Sequence, residues 1–510
     1  VRKKKNIVLE EVLVENYAAE GKSLARQDGK VIFIENVVPG DVVDIRLLKN
    51  KKDWAEGYPI QFKSYSKERV EPFCQHFGVC GGCQWQMLPY QKQLQYKQQQ
   101  VIDNLTRIGK IKLPQPLPIA GATEDRFYRN KLEYTFSTKE FTPQKPIRSG
   151  PHPNLLPTGE GTAKVQPSLI ENSANVSESS KSEPSQRSEV PPPEGFREAG
   201  VLGFHAKGFF DKVVNIEKCW LQPEPNNEIR NALREFSWNK KLSFYDYREH
   251  RGLLRNLQLR ICATGEVMVN VVFGENNEKS RNEVLNFLKK QFPQITTLLY
   301  TINLKKNDSL NDLEPITYFG KGYVIEKLED FQFKIGPKSF FQTNTRQAEK
   351  LYQITREFAE LSGSQTLYDL YCGTGSIGIF CSKGAKKIIG VEAIAEAIND
   401  AKENALINNI HHAEFYAGDV IDICNDDFFS QHGKPDVIIT DPPRAGMHEK
   451  LVRKILGIEA PTVVYVSCNP ATQARDLSLL DEKYEVTKLQ PVDMFPHTHH
   501  IENVVQLKRK

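Results

Sequence analysis

The chain has 510 residues, of which 39% are hydrophobic and 26% charged, and a net charge of +4. That length suggests about three domains and ample core, and no run reaches the roughly 20 apolar residues that a bilayer span needs. The near-neutral balance permits nucleic-acid binding without arguing for it, since a basic face would have to be local. Val1-Arg2-Lys3-Lys4-Lys5 is not followed by an apolar stretch of signal-peptide type, so a cytoplasmic location and no membrane partner are expected.

In chain order, residues from about 6 to 63 carry short apolar runs, Ile7-Val8-Leu9, Val31-Ile32-Phe33-Ile34 and Val42-Val43-Asp44-Ile45. Gly21, Gly29 and Pro39-Gly40 punctuate them, which predicts short strands and a small β-barrel. Leu88 to Ile111 reads as a helix and Asp125 to Lys139 as a strand. Residues from about 142 to 198 are rich in Pro, Ser, Glu and Gly and poor in aromatics. They are expected to form a disordered insertion or linker. Strands are expected at Asn256 to Ile261, Glu266 to Phe273 and Leu298 to Asn303, with a helix at Asn277 to Gln291. After about residue 330 the rhythm becomes β-α-β. Strands at Thr366 to Leu370, Lys387 to Val391, Asp436 to Thr440 and Thr462 to Val466 alternate with helices such as Ala393 to Asn408. That alternation predicts a doubly wound parallel sheet.

The nine cysteines are an odd number, and in a large cytosolic chain they argue against a disulfide framework. Cys74, Cys80 and Cys83 fall close together, with Cys219 far downstream. Four thiolates can hold zinc or an iron–sulfur cluster, and the spacing leaves both open. Cys262, Cys372, Cys381 and Cys424 read as packing residues.

The run Cys372-Gly373-Thr374-Gly375-Ser376-Ile377-Gly378 is G-x-G-x-x-G between a strand and a helix. Its glycines let the backbone turn tightly and approach a nucleotide cofactor. Glu392 ends the next strand, where an acid can accept hydrogen bonds from ribose hydroxyls, and Asp419 is expected near the adenine. This loop alone does not separate NAD from S-adenosylmethionine. Asp441-Pro442-Pro443-Arg444 follows a strand at the carboxyl edge of the sheet, and its prolines stiffen a loop suited to holding a planar base beside a methyl donor.

Val463 to Pro470 reads VVYVSCNP, so Cys468 follows an apolar strand in a Ser467-Cys468-Asn469-Pro470 turn, where its thiol is presented rather than packed. Downstream lies His497-Thr498-His499-His500-Ile501-Glu502. The three histidines are expected to be structural or to contact RNA, because no second cysteine or acid is spaced to complete a metal site with Cys468. A thiol and a separate carboxylate suit one demanding reaction. Carbon 5 of uracil is a poor nucleophile until a thiolate adds at C6, and a base must afterwards remove the C5 proton. Cys468 and Glu502 fit those roles.

Asp369-Leu370-Tyr371-Cys372-Gly373-Thr374-Gly375, Asp441-Pro442-Pro443-Arg444, the Ser-Cys-Asn-Pro turn and the histidine block together resemble the RNA uracil-5-methyltransferase family. Its members make 5-methyluridine in rRNA or tRNA. Phe340-Phe341-Gln342-Thr343-Asn344 resembles that family's cofactor-contacting segment. The resemblance implies three parts. These are a TRAM-like, OB-like β-barrel at 1–63, an α+β central iron–sulfur and RNA-binding domain at 64–330, and a Rossmann-like α/β methyltransferase domain at 331–510. It makes Cys468 the nucleophile and Glu502 the base. It puts Gln342, Tyr371, Ser376, Glu392, Asp419 and Asp441 at the S-adenosylmethionine positions, Ser376 standing where Asn is often found. It makes Cys74, Cys80, Cys83 and Cys219 ligands of a [4Fe–4S] cluster, a pattern of the 23S rRNA-modifying members; the same chemistry on a tRNA uridine is the alternative. The expected partner is RNA, bound by a monomer. Arg126-Phe127-Tyr128-Arg129-Asn130-Lys131 interleaves cations with aromatics, suiting phosphate contact and base stacking. The target base is expected to flip into the cleft.

Overall fold

The structure, a computed structural model, describes residues 7–18, 21–142 and 200–510. The insertion expected at about 142–198 lies outside those residues apart from Thr142.

The first sheet contains β1 (Val8–Leu13), β2 (Asn16–Tyr17), β3 (Ser23–Gln27), β4 (Lys30–Ile34), β5 (Val42–Asn50) and β6 (Trp54–Ser64), in the order β1-β5-β6-β4-β3-β2. Its inward residues alternate along the strands, as the pleat requires, and Ala25, Ile32, Ile34, Val43 and Ile45 are fully buried. Asp28 and Gly29, at φ 51° and 73°, make the two-residue turn between β3 and β4, matching strand twist. The ladders among the described residues form a six-stranded sheet with two edges, so closure into the expected small β-barrel is not seen there. No ladder among the described residues joins β1 to β2. The chain leaves β5 after Leu13 and pairs with β3 only at Asn16 and Tyr17.

The helix expected at Leu88 to Ile111 is α1 (Tyr90–Asp103), extended by one wider π turn, Asn104–Ile108. The central sheet comprises β7 (Lys131–Ser137), β8 (Val201–His205), β9 (Val213–Asn215), β10 (Leu254–Ile261), β11 (Val267–Phe273), β12 (Thr297–Ile302) and β13 (Ile316–Phe319). Their order is β13-β12-β11-β10-β7-β8-β9. Residues of α2 (Asn226–Asn239) and α3 (Glu278–Gln291) share a core with Leu132, Leu257, Leu259, Val269 and Val271. Asn277 caps α3 by accepting from the Ser280 N–H. A hairpin, β14 (Val324–Leu328) and β15 (Phe331–Ile335), leads to the C-terminal part.

That part holds α4 (Thr345–Ala359), β16 (Thr366–Leu370), α5 (Ser376–Phe380), β17 (Lys387–Glu392), α6 (Ala395–Ile407), β18 (Ala413–Ala417), α7 (Val420–Ile423) and α8 (Asp426–His432). It continues through β19 (Val437–Thr440), α9 (Glu449–Ile458), β20 (Thr462–Ser467), α10 (Pro470–Leu480), β21 (Tyr484–Val492) and β22 (Glu502–Arg509). The sheet order is β18-β17-β16-β19-β20-β22-β21. The pairs from β18 to β20 are parallel, as the β-α-β rhythm predicts. The sheet is nevertheless mixed, because β22 inserts antiparallel to both β20 and β21. The strand order reverses between β16 and β19, and ligands bind open α/β sheets beyond the carboxyl ends of strands at such a point. No described helix is long and apolar enough to cross a membrane.

Candidate active site

The loop after β16 is built by its glycines. Gly375 stands at φ 76°, and a Cβ there would lie 3.0 Å from Phe415. Gly378 donates its N–H to Asp369 Oδ2 at 2.8 Å, an approach that only a missing side chain allows, since a Cβ would sit 3.0 Å from that oxygen. Tyr371 turns the chain out of the sheet at φ 61°. Glu392, at the end of β17, accepts from the N–H groups of Gly373 at 3.2 Å and Ile394 at 3.0 Å. A Cβ on Gly373 would meet nothing within 4 Å, so the loop faces open space there. Asp419 caps α7 by accepting from the Ile421 N–H at 2.8 Å, and its charge acts on the Tyr371 phenol. Ser376, at the start of α5, shares a 2.9 Å hydrogen bond with the Tyr352 hydroxyl on α4.

Asp441 follows β19, its N–H reaching Leu370 O at 3.4 Å across the switch point. Asp369, Asp441 and Glu502 all act on the Tyr352 hydroxyl. Burial holds the Asp369 carboxyl up at about 7, and the nearby Asp441 and Glu392 charges add to it. The other Asp369 oxygen, Oδ1, is buried without a hydrogen-bond partner. Burial also raises Asp441, and burial together with Asp441 pushes Glu502 well above the ordinary carboxylate range. Packing several acids into a dry cleft penalises their charged forms until a cation arrives. A sulfonium with an ammonium group is such a cation, so the donor set fits S-adenosylmethionine.

The register of the last strands puts the thiol beside the carboxyl. Ser467 pairs with Asn503 in the antiparallel ladder of β20 and β22, so the next residue on each strand brings Cys468 opposite Glu502. Asn469 lies just past the strand and caps α10 through the Ala471 N–H at 3.1 Å, with Pro470 opening the helix. Its amide also donates to Arg444 O at 3.1 Å, tying the turn to the Asp-Pro-Pro-Arg loop. Cys468 is half-buried. Burial, Glu502 and Asp441 push its thiol up to about 12 against the pull of Arg444.

The Phe340-Phe341-Gln342-Thr343-Asn344 segment is gripped from the central sheet. Asn130 Nδ2 donates to Gln342 O at 3.0 Å and to Thr345 Oγ1 at 2.9 Å, and its backbone N–H reaches Thr343 O at 2.7 Å. Thr345 Oγ1 donates to the buried Glu326 at 2.8 Å. Asn130 is thus an internal clamp rather than an exposed RNA contact, and Tyr128 is buried with its hydroxyl on Pro496 O at 2.9 Å. Arg126 and Phe127 remain available, Arg126 lying over the Phe73 ring at 4.1 Å. Tyr352 carries no motif signal in the sequence, and Asn130 stands out only within the cation–aromatic run. The first reads as a core tyrosine on the buried face of α4, the second as a strand-edge polar residue.

Of the histidines, His497 is structural. Its carbonyl accepts from the N–H groups of Gln84 and Trp85, and its ring lies 3.1 Å from Gln93 and 3.2 Å from Asp125. His499 bonds Gln84.

Cys74, Cys80, Cys83 and Cys219 line one cavity of about 450 Å³, together with Arg129 and Phe341. Burial pushes the Cys80 and Cys83 thiols up to about 12. Among the described residues no three His, Cys, Asp or Glu side chains form a group that could hold one metal ion.

The tRNA (uracil-5-)-methyltransferase family profile matches residues 265–510. An uncharacterized RNA methyltransferase of Bacteroides thetaiotaomicron is 49% identical over 494 residues, covering 96% of this chain and 99% of that protein. One from Porphyromonas gingivalis is 45% identical, covering 97% and 99%. Among solved structures, the Pyrococcus abyssi tRNA (uracil-54, C5)-methyltransferase in complex with S-adenosyl-L-homocysteine has a TM-score of 0.69 and 26% identity, covering 97% of this chain and 99% of that one. Matched nearly end to end by RNA methyltransferases, and carrying the tRNA (uracil-5-)-methyltransferase profile over residues 265–510, the chain belongs to the RNA methyltransferase family.

Proposed function

We propose that the protein transfers a methyl group from S-adenosylmethionine to C5 of a uridine in 23S rRNA through a transient Cys468–C6 bond. The observation that carries this reading is the β20–β22 register, which brings a thiol and a carboxyl together at the carboxyl end of β20. Residues 331–510 would do the chemistry, while 1–63, a TRAM-like module, and 64–330 bind and orient the RNA, all within one monomer.

Asp369, Asp441, Glu392, Asp419, Tyr371, Ser376 and Gln342 would hold S-adenosylmethionine, which supplies an electrophilic methyl group and a positive charge. Cys468 loses its proton and its Sγ adds to C6, leaving the negative charge on the C5–C4–O4 system. C5 would then take the methyl as its bond to the donor sulfur breaks, with S-adenosylhomocysteine as the leaving group. Glu502 removes the C5 proton, the C6–Sγ bond breaks, and the thiolate is restored. Arg444, which already counteracts the rise in the Cys468 thiol, favours its ionised form. The half-buried position of Cys468 requires the base to leave its stack.

Glu502→Gln should accumulate a protein–RNA adduct that survives denaturing electrophoresis, because the C5 proton cannot leave. Cys468→Ala should form none and make no 5-methyluridine. A Glu502→Gln variant that turns over normally would remove Glu502 from the role of base.

The resemblance carries the further proposal of a [4Fe–4S] cluster held by Cys74, Cys80, Cys83 and Cys219, which line one cavity. A single zinc needs all its thiolates about 2.3 Å from one point, whereas a cubane spreads them over separate irons. Such a cluster would staple the central sheet beside the cofactor segment, since Phe341 and Thr343 line the same cavity. The four thiols favour rRNA by resemblance. The Pyrococcus abyssi likeness favours the second reading, a tRNA uridine. Mapping 5-methyluridine in both RNAs from cells lacking the protein separates the two.

A further inference from the structure

Glu502 is the first residue of β22. The ladder with β21 fixes the chain from that residue onward, beginning with its pairing to Val492. The residues before it, 493–501, belong to no helix or strand. The Glu502 carboxyl is held by no hydrogen bond among the described residues; burial and the Asp441 charge are what act on it. Its reach is therefore set by the backbone, and on one side that backbone is the histidine block.

The block is held from the segment that follows Cys83, and Gln84 meets it twice. The Gln84 N–H donates to His497 O at 2.8 Å. Its side-chain Oε1 accepts from the His499 N–H at 3.4 Å and also faces Nδ1 of the His499 ring. A backbone N–H can only donate, so the Gln84 atom turned to His499 is the oxygen and Nδ1 carries the ring hydrogen. Burial, with the Arg444, Lys97 and Lys207 charges, holds that ring down at about 4, so it stays neutral at neutral pH. The other side of His499 has no slack. Gly21 stands at φ 73°, and a Cβ there would come within 2.8 Å of His499 Cβ. Gly21 O in turn accepts from Trp85 Nε1 at 3.4 Å. Gln93, on α1, fixes His497 by accepting from its N–H at 2.9 Å. Gln84 carries the hold forward to His499, close to Glu502 in the chain.

We infer that Gln84 is a positioning residue for proton removal: by gripping His497 and His499 it sets the approach from which the Glu502 carboxyl reaches the C5 proton. This role rests on the reading of Glu502 as base and Cys468 as nucleophile. In that reaction methyl transfer precedes proton removal. A displaced Glu502 leaves the methyl already on C5 and Cys468 Sγ still on C6. When the C5 proton passes to the carboxyl, the C–H electron pair forms the C5–C6 double bond and the C6–Sγ pair leaves with the sulfur. The fault of a misplaced base is therefore specific: a methylated adduct that persists, rather than slower methyl transfer. Because Gln84 directly follows Cys83, the order of the cysteine segment bears on the base through its side chain.

The test uses the full chain, methyl-labelled S-adenosylmethionine and RNA from cells lacking the protein, with the adduct read as a labelled protein–RNA band on denaturing electrophoresis. Gln84→Ala should accumulate that band and slow its decay about tenfold, within the roughly hundredfold that a displacement of about 1 Å can cost. Its affinity for S-adenosylhomocysteine, measured by calorimetry, should be unchanged. Gln84→Glu keeps the acceptor and the backbone N–H, so its adduct should decay near the wild-type rate. His499→Ala removes the same bond from the other side and decides the matter if Gln84→Ala does not fold. Adduct decay at the wild-type rate in these alanine variants, or a loss of stability without adduct, overturns the inference. Glu502→Gln is the control. If it accumulates adduct while Gln84→Ala does not, the positioning role alone falls; if it accumulates none, the base assignment falls and takes the positioning role with it.

Discussion

Lys97 and Asp493 form an ion pair at 2.6 Å with both side chains fully buried. It joins α1 to the segment that carries the histidine block and leads into β22. The pair is fully furnished: Tyr90 donates to Asp493 at 2.8 Å, the Phe495 N–H at 3.1 Å, and Lys97 also reaches Phe495 O at 3.1 Å. Removing one partner strands the other charge in a dry interior, which costs roughly 3–5 kcal/mol. Lys97→Met should lower the unfolding free energy measured by denaturant titration by that amount, and the Lys97→Met/Asp493→Leu double variant should recover a large part of it. A double variant as unstable as the sum of the single ones would show that the ion pair itself carries no coupling.

Asn130 is the next test of position over contact. Asn130→Ala removes the donors to Gln342 O and Thr345 and leaves the buried Glu326 short of a partner. The destabilisation should be about 1–3 kcal/mol. The KM for S-adenosylmethionine should rise about tenfold with kcat little changed, because the clamp acts on binding rather than on the reacting atoms. Calorimetry with S-adenosylhomocysteine checks the binding half directly.

The acid cluster predicts a pH dependence with a defined sign. Asp369 stands at about 7 in the folded chain against an ordinary 3.8. Between those values the native state keeps a proton that the unfolded state has released. The free protein should therefore lose stability as pH rises from about 4 to about 7. S-adenosylmethionine, a cation, needs the ionised forms, so its affinity should climb through the same range. S-adenosylhomocysteine, which lacks the sulfonium charge, should respond less steeply. Melting temperatures with and without each ligand across the range measure both trends.

The cysteine cavity makes a spectroscopic prediction. Protein purified without oxygen should carry the broad visible absorption of an iron–sulfur cluster. Cys80→Ser should lose it and unfold at a lower temperature. A colourless wild type that contains zinc would reject the cluster.

The C-terminal half was largely legible because its signals are local. The strand at Thr366–Leu370 has the predicted ends, and the Asn277 cap and the helix at Glu278–Gln291 differ from expectation by a single residue. Each is a short apolar run or a cap followed by helical periodicity, and burial acts on them as read. The last two strands were not legible. Residues 484–492 and 502–509 look like further strand pattern, but nothing local states that the second runs antiparallel between β20 and β21. Barrel closure was not legible for a similar reason. Strand spacing shows that strands exist, whereas closure depends on which edges meet.

Residue chemistry and order along the chain by themselves determined the parts list: a glycine loop, a stiff acidic loop, a thiol in a turn, a terminal carboxylate and four scattered cysteines. The tertiary structure alone decided their company. It turned Asn130 inward as a clamp, brought Tyr352 to Ser376, left one Asp369 oxygen without a partner, and made Glu502 the neighbour of Cys468. The physical reason is that a side chain's charge state and reach are set by what surrounds it in space, and the partners here come from strands and helices far apart in sequence.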